Sequence, residues 1–491
     1  MPDDFWQDDA VQAALDSRHM GKVIRAYRHH PHHGRRGLSQ DDIAAWAGIA
    51  QGQVSKIETG PACNRLDRLI FWAQLLDIPE EHLWFKLPED ERVPAQPHRT
   101  RPTGPGADLA LAALAEISTS LGDTEVGEEF QLATAPGRFF PGVTIHARAY
   151  SATTDDRVLV AASNGCFPRQ AGRGLVVGVD ERLGLAYGMD IRRADQRLAK
   201  LPQGAGLLVP GAYRLDDFTL GLVWAIANLD EALLSDDAAL AAHRSRLGTY
   251  EDMQTSLVQR DVAEDLSSIS QLWLGSDFCA RHILRNAEAF SGAPVFWTQE
   301  RRGEDASAWL LFEHKIAYLR ELADRYEGQR LARAFCVPDS AAADSPRRER
   351  VLFLLAASLM ESFDIEVVLC PEPEYAAVDG FVLDEKRQAI VASWVGVDSL
   401  WHVDVTRSRP TVQEFVDASG YARAHSATAG ADPHSRLQSL ADYLWLDWRW
   451  FSRRCKELAD YGSAGVFEPR SRLLSSAGVD QACQFVAGLH R

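Results

Sequence analysis

The sequence predicts a multidomain protein in which an all-α N-terminal domain precedes a large mixed α/β (α+β) body. The chain has 491 residues, about three times the length of a common domain. Residues 18–87 show helical periodicity alone, whereas helical and β-branched segments alternate after residue 108. Five prolines fall between residues 88 and 107, and such a stretch sustains neither helix nor sheet. We therefore predict a domain at 18–88, a linker at 89–107 and the body beyond it.

Composition places the chain among globular proteins, with 46% hydrophobic and 25% charged residues. Its longest apolar run, 351–360, is about half of what crosses a bilayer, and the first residues show no basic-then-apolar signal pattern. The seven cysteines are scattered without a Cys-x-x-Cys pair, which favours reduced thiols over a metal ribbon or a disulfide framework. We expect a soluble, cytoplasmic protein with no membrane contact and no cofactor.

Charge is distributed unevenly along the chain. The net charge is −17, which by itself argues against a polyanionic partner. Residues 18–68, however, carry nine basic and four acidic side chains, a net charge of +5, and five histidines. Residues 1–17 hold five acidic residues and are expected to form a short acidic arm. The pattern indicates one basic, nucleic-acid-binding module joined to an acidic body.

The segment 38–60 has the local signals of two short helices joined by a turn. Ser39 can cap a first helix over 40–47, and Gly48 can end it in a left-handed conformation. Gln51 begins a second helix that stops before Gly60. Apolar residues recur at positions that would fill the seam between the helices: Ile43, Ala47, Ile49, Val54 and Ile57.

The second helix leaves a polar, weakly basic face outward, of the kind that reads base edges in a major groove. That face consists of Gln51, Gly52, Gln53, Ser55 and Lys56. A helical hairpin that packs and binds nothing is the alternative. The basic flanks on both sides favour the DNA-binding interpretation.

Several motifs in order resemble the Cro/phage-repressor-type (XRE) helix-turn-helix family, in the version common in actinobacterial regulators. They lie at 24–28, 37–40, 56–60 and 78–88, so the resemblance covers about 65 residues. It implies that Gln40 touches phosphate and braces the second helix, and that Arg28 pairs with Glu58 inside the fold. It also implies base contacts from Gln51, Gln53 and Lys56, and a backbone contact from Arg65. We add Arg35 and Arg36 to the DNA-binding set; both lie in the basic connection before the first of these helices.

Four histidines surround Pro31 in this connection, at positions 29, 30, 32 and 33. One interpretation is a loop that grazes phosphate and binds better as the imidazoles protonate. Another is a metal site, although the proline breaks any helical His-x3-His spacing. A solvated loop with some DNA-backbone contact is the interpretation we prefer, and no metal ligands are assigned.

The body is expected to hold two domains, 108–262 and 263–491. Helices are predicted at 108–121, 216–236, 277–290, 309–326, 347–362 and 435–461. Strands are predicted within 142–162 and at 175–179, 334–337, 365–370, 377–381, 389–395 and 401–405. The pair at 377–381 and 389–395 resembles a hairpin with a charged turn at 384–387.

The body carries no catalytic motif that we recognise: no Walker loop, His-Glu-x2-His, Gly-x-Ser-x-Gly or zinc-deaminase pattern. Eight of the thirteen tryptophans follow residue 270, and they can form core, line a ligand pocket or cover a partner. We expect no enzyme and no catalytic residue. The interpretation is a sequence-specific regulator that binds a double-stranded operator, with a body that senses a small-molecule effector, forms a homodimer, or both.

Two other classes of protein remain open at this stage. One is an enzyme or toxin-like effector whose helix-turn-helix serves autoregulation. The other is an interaction scaffold that its DNA-binding module only localises. Titratable groups meeting in one deep pocket would favour the enzyme, whereas an apolar pocket with few of them would favour the sensor.

Overall fold

The computed structural model divides the chain into two compact units, Met1–Pro105 and Gly106–Arg491, which are described separately. The residues it describes are 5–33, 37–40, 43–44, 51–60, 69, 72–73, 75–76, 78–79, 82–85, 129–154, 158–160, 174–180, 182–201, 205–290, 292–395, 397–428 and 430–489. The predicted linker at 89–107 and the predicted helix at 108–121 lie outside them.

The regular structure of the first unit is helical in its described part. Helices α1 (Asp9–Asp16), α2 (Met20–His29) and α3 (Gln51–Thr59) are accompanied by single turns of 3₁₀ helix, at Phe5–Gln7 before α1 and at Pro31–His33 after α2. Gln40, Ile43 and Ala44 are also helical. The helix predicted to begin at Gln51 and to stop before Gly60 is therefore observed as α3.

The expectation of a loose acidic arm before residue 18 is wrong. Asp8 caps α1 by accepting hydrogen bonds from the backbone N–H groups of Ala10 and Val11. Phe5, Trp6 and Val11 are each buried in the same core as α2 and α3. These residues are therefore part of the fold. Their apolar spacing was missed in the sequence because acidic residues lie between them.

Helices α2 and α3 pack closely because Gly21 has no side chain. A Cβ atom at Gly21 would collide with the backbone carbonyl of Ile57 on α3. Val54 and Ile43 are fully buried in the seam between the helices, as predicted, and Ile57 packs on its edge. Ala47 and Ile49, the other two seam residues, lie outside the described residues.

The second unit begins, in its described part, with a six-stranded sheet. Its strands are β1 (Glu129–Ala133), β2 (Thr144–Thr154), β3 (Val158–Val160), β4 (Gly174–Asp180), β5 (Leu185–Asp190) and β6 (Leu207–Val209). The order is β5-β4-β2-β3-β6, with β1 also paired to β2. Only the pairing of β2 with β4 is parallel.

A seven-stranded sheet follows. Its strands are β7 (Ser256–Gln259), β8 (Val295–Thr298), β9 (Leu331–Cys336), β10 (Ile365–Cys370), β11 (Phe381–Asp384), β12 (Gln388–Ser393) and β13 (Ser399–Thr406), in the order β10-β9-β8-β11-β12-β13-β7. The strands β8, β9 and β10 run parallel, and the remaining pairings are antiparallel. This mixed sheet fits the predicted α/β body.

Helices surround both sheets of this unit. They are α4 (Ile191–Leu198), α5 (Asp217–Ser235), α6 (Asp237–Leu247), α7 (Ser268–Asn286), α8 (Gly303–Leu311), α9 (Glu313–Arg325), α10 (Asp339–Ala343), α11 (Arg347–Glu361), α12 (Arg409–Ala424), α13 (Pro433–Tyr443), α14 (Trp448–Ala459) and α15 (Ala477–Gly488). Helix α11 lies at the centre and packs against α5, α8, α15 and β10. Helix α12 covers the opposite face of the seven-stranded sheet.

We expected a domain division at residue 262, whereas the structure keeps Gly106–Arg491 together as one unit. Strand β7 precedes the expected division and pairs with β13, which follows it. One continuous apolar core runs from Phe140 to Val486. Burial of that core across the two sheets, rather than a linker, governs the organisation of this region.

Several predicted helix and strand boundaries in the body differ from the observed ones. The helix predicted at 435–461 is two helices, α13 and α14, because Trp445 adopts a left-handed φ of 51° and Asp447 caps a new helix. The helix predicted at 309–326 breaks at Phe312, between α8 and α9. Helix α7 begins nine residues before the predicted 277, and the first hairpin arm is β11 rather than 377–381.

Helix α5 has the length and apolarity of a membrane span, and it is the one such helix among the described residues. About 72% of its apolar window is buried inside the unit. Asp216 and Thr219 form a capping box at its start. Asn228 and Asp230, both fully buried, bond to loops that cross the helix. These contacts identify α5 as a core helix.

Buried carboxylates on helices hold the loops that cross them. Glu304 of α8 accepts hydrogen bonds of 2.5–2.8 Å from the backbone N–H groups of residues 138–140, in the β1–β2 loop. Asp230 accepts from the N–H groups of Arg470 and Ser471. Because each carboxylate satisfies several donors, the loops are fixed without regular pairing.

We predict that Glu304→Ala lowers the free energy of unfolding of this unit by about 2 kcal/mol or more, because one buried and two partly buried N–H groups lose their acceptor. Glu304→Gln should lose less, since it keeps one acceptor oxygen. Urea unfolding followed by tryptophan fluorescence measures both, with the exposed Glu313→Ala as the matched control. Equal losses for Glu304→Ala and Glu313→Ala would contradict this role.

Candidate nucleic-acid interface

Helix α3 has one face in the core and one face in solvent. Val54 and Glu58 are buried, while Gln51, Lys56 and Thr59 are exposed and Ser55 is half-buried. The buried positions recur at helical spacing, which turns the polar residues outward together. Three of the predicted readers, Gln51, Ser55 and Lys56, therefore share the accessible side of the helix.

A chain of hydrogen bonds connects the core to this accessible side. The Arg28 guanidinium on α2 donates to both carboxylate oxygens of Glu58, at 2.6 and 3.0 Å, and to the carbonyl of Leu38. Gln40 donates to the same carboxylate at 2.8 Å. Gln51 in turn donates to the side-chain oxygen of Gln40 at 2.6 Å. The pairing of Arg28 with Glu58 that the resemblance implied is confirmed.

The ion pair is nearly inaccessible to water, since each of its residues is 7% exposed. Burial raises the pKa of Glu58, but hydrogen bonds from Arg28 and Gln40 outweigh burial and hold that pKa below its usual range. A carboxylate whose pKa is depressed stabilises the fold above its unfolded-state pKa and loses that contribution as pH falls through the lower, folded value. The network is therefore intact at neutral pH.

Basic side chains on α2 add positive charge to the unit. Lys22 and Arg25 are exposed on α2, and Arg18 is exposed just before it. His19, which caps α2, contacts the carbonyl of Gly60 at 3.0 Å and so ties the start of α2 to the end of α3. Gly52 and Gln53 belong to α3. The Gln53 side chain, Arg35, Arg36 and Arg65 lie outside the described residues.

The histidine connection packs on the N-terminal arm. The rings of His30, His32 and His33 lie 4.0, 5.9 and 5.6 Å from the Phe5 ring. Burial and the neighbouring His32 and His30 lower the pKa of His33, so this ring is harder to protonate than a free imidazole. Among the described residues, no three His, Cys, Asp or Glu side chains are grouped to hold a metal ion.

Comparison with known proteins agrees with this geometry. Residues 34–83 match the helix-turn-helix family model. A search of the curated proteins and a search of the solved structures found no match. The matched segment contains α3 and the Gln40–Gln51 pair, while Arg28 precedes it. Residues 34–83 are therefore a helix-turn-helix segment of the XRE type, and this segment suggests that the protein binds DNA.

Proposed function

We propose that the protein is a sequence-specific transcription regulator that inserts α3 into the major groove of an operator. The observation that carries this proposal is the solvent-facing side of α3, held in place by the Arg28–Glu58–Gln40–Gln51 network. In helix-turn-helix proteins the second helix contacts base edges while the preceding one approaches the phosphate backbone. Gln51, Gln53 and Lys56 are the proposed base readers.

The Gln40–Gln51 contact supports a division of labour between the two amides. Gln51 donates one amide N–H to the side-chain oxygen of Gln40, and this bond fixes the rotation of the Gln51 amide. The second N–H and the oxygen of Gln51 remain available for a base pair. A glutamine held in this way can bond an adenine edge with both groups. Gln40 keeps one N–H for a phosphate oxygen, so we assign it as a positioning residue as well as a backbone contact.

We also propose that the body regulates the reader, as an effector sensor and as a dimerisation unit. The aromatic residues that the sequence offered for dimerisation are divided in the structure: Trp448 and Phe451 are buried, whereas Trp445 and Tyr461 are more than half exposed. Support for dimerisation is therefore the need for two readers on a palindromic operator. The small cavity in the seven-stranded sheet is lined by charged side chains, so by the criterion given above it does not by itself favour sensing.

Direct readout is tested by Gln51→Ala combined with Gln53→Ala in the full chain. Each base contact contributes about 1–3 kcal/mol, so binding to a site selected from random DNA should weaken strongly. Binding to unselected DNA should remain nearly unchanged, because phosphate contacts supply it. Thr59→Ala, exposed on the same helix, is the matched control. Equal losses on both DNAs would mean that α3 is not the reader.

Bracing by Gln40 is tested by a double-mutant cycle. Gln40→Ala removes one hydrogen bond from the buried Glu58 carboxylate but leaves the Arg28–Glu58 pair, so thermal stability should fall moderately while discrimination between selected and unselected DNA falls. Because Gln40 and Gln51 are bonded, the losses from Gln40→Ala and Gln51→Ala should not add, and their coupling should be roughly 0.5 kcal/mol or more. Strict additivity of the two losses would remove the bracing role.

Dimerisation is tested on the full chain, since truncation at α14 would strip buried residues such as Phe451 and Cys455 from the core. We expect sedimentation of a dimer at roughly ten micromolar and a footprint covering two half-sites about 34 Å apart. A monomer in sedimentation that protects a single half-site would overturn this part of the proposal and leave the DNA-reading part unaffected.

A further inference from the structure

A small cavity lies on one face of the seven-stranded sheet, away from α12. Its volume is about 20 Å³, room for one or two water molecules. Its charged and polar lining comes from β9, α9 and the segment after β8: Arg333, Lys315, Tyr318 and Glu300. Each of these side chains is at most 3% exposed. Charge of this kind in a core requires a partner or a ligand.

The two cations are stacked between aromatic rings. The Arg333 guanidinium lies 4.5 Å from the ring centroids of both Phe296 and Trp309. The Lys315 ammonium lies 3.9 Å from the centroid of Trp309 and 3.8 Å from that of Trp394. These rings stabilise the faces of the cations, but they accept no conventional hydrogen bond from the N–H groups.

Several hydrogen-bond donors in this cavity have no acceptor in the described part of the chain. They are Nε and Nη2 of Arg333 and Nε1 of Trp394. The Tyr318 hydroxyl interacts with Arg333, and Oε1 of Gln299, which also lines the cavity, is an acceptor without a donor among the described residues. The remaining Arg333 nitrogen, Nη1, donates to Thr298 at 3.5 Å. The unused Nε and Nη2 lie on one edge of the guanidinium, and that edge forms two parallel bonds with a planar carboxylate.

Charge within the cavity is not balanced by direct pairing. Glu300 accepts a hydrogen bond from Trp309 at 2.8 Å, and the charges of Lys315 and Arg333 act on it without a direct hydrogen bond among these described residues. Asp277, the nearest carboxylate on α7, is paired with Arg244 and Arg281. The buried thiol of Cys279 completes the titratable groups that face Lys315. Lys315 and Arg333 therefore share Glu300 as the one carboxylate that lines the cavity.

We propose that this cavity binds the carboxylate group of a small organic acid. The acid would place its two oxygens on the Nε–Nη2 edge of Arg333 and accept from Tyr318 and Trp394, with Lys315 supplying the second positive charge. The two carboxylate oxygens would occupy the space that the cavity offers to water. Recognition of such an acid would supply the effector in the proposed function, but binding itself does not depend on that role.

Burial also gives the site a pH dependence. Burial lowers the pKa of Lys315 to about 7, with Glu300 acting in the opposite direction and Arg333 in the same one. Burial raises the pKa of Glu300. As pH rises from 6 to 8, Lys315 loses its proton, so the net positive charge of the cavity falls. Affinity for a carboxylate should fall over this range.

The test titrates the full chain with ¹³C-labelled acetate, using acetamide as a neutral probe of the same shape. We expect saturable binding of acetate with a dissociation constant of roughly millimolar order, weaker at pH 8 than at pH 6, and no saturable binding of acetamide. Acetamide that binds equally well, or acetate binding that is unchanged from pH 6 to 8, would overturn the assignment.

Substitutions locate the site. Tyr318→Phe and Trp394→Phe each remove one donor and keep the ring, so each should weaken acetate binding by about 3- to 10-fold. Trp273→Phe is the matched control, because Trp273 is also buried with an unpartnered Nε1 but does not line the cavity. Arg333→Met should abolish acetate binding, whereas Arg348→Met, the control at another buried arginine, should leave it unchanged. If the arginine variants fail to fold, the two ring-conserving variants decide alone.

Each outcome separates this inference from the proposed function. Acetate binding that Tyr318→Phe and Trp394→Phe leave unchanged would show that the cavity is only a cation–aromatic core. Acetate binding that follows the predicted pattern, with operator affinity unaffected by acetate, would support the site and argue against this ligand as the effector. Loss of operator binding in the α3 variants with intact acetate binding would support both proposals independently.

Discussion

Glu304 accepts three backbone N–H groups from the β1–β2 loop, and this buried carboxylate joins the first sheet of the body to the helices of the second. Trp224 and Asn228 on α5 bond the same loop, at Ala135 and Gly142. A carboxylate buried in a core needs hydrogen-bond donors, and loop N–H groups removed from water need acceptors. Each group therefore offsets the desolvation penalty of the other. Gly106–Arg491 is one unit because such contacts cross between its sheets.

The smaller unit follows the same rule with a different result. Glu58 is desolvated beside Arg28, and its second oxygen accepts from Gln40, which orients Gln51 at the surface. The hydrogen bonds that satisfy the buried Glu58 carboxylate thus also fix the orientation of the solvent-exposed Gln51 side chain. A reader built in this way presents one amide orientation before DNA arrives, which lowers the entropy lost on binding.

Sequence reasoning succeeded where local signals are strong. The bounds of α3, the helix predicted at 216–236 and the strand Ile365–Cys370 follow from helical periodicity, glycine positions and β-branched runs. It failed at Trp445, because a tryptophan in the left-handed region follows no propensity rule, and at residue 262, because pairing of β7 with β13 is non-local. The cavity was missed as well. Its one available signal was an arginine inside the buried apolar strand Leu331–Cys336.

Strand β7 at Ser256–Gln259 acquires its partner only when Ser399–Thr406 has been made. About 140 residues separate them, and at 5–20 residues per second a ribosome takes roughly 7 to 30 seconds to synthesise that distance. During this interval β7 presents an unpaired edge that can associate with other chains. The unit Met1–Pro105, by contrast, has been synthesised in full by then. In the proposed function, nascent chains therefore carry a complete DNA-binding unit before their bodies have folded.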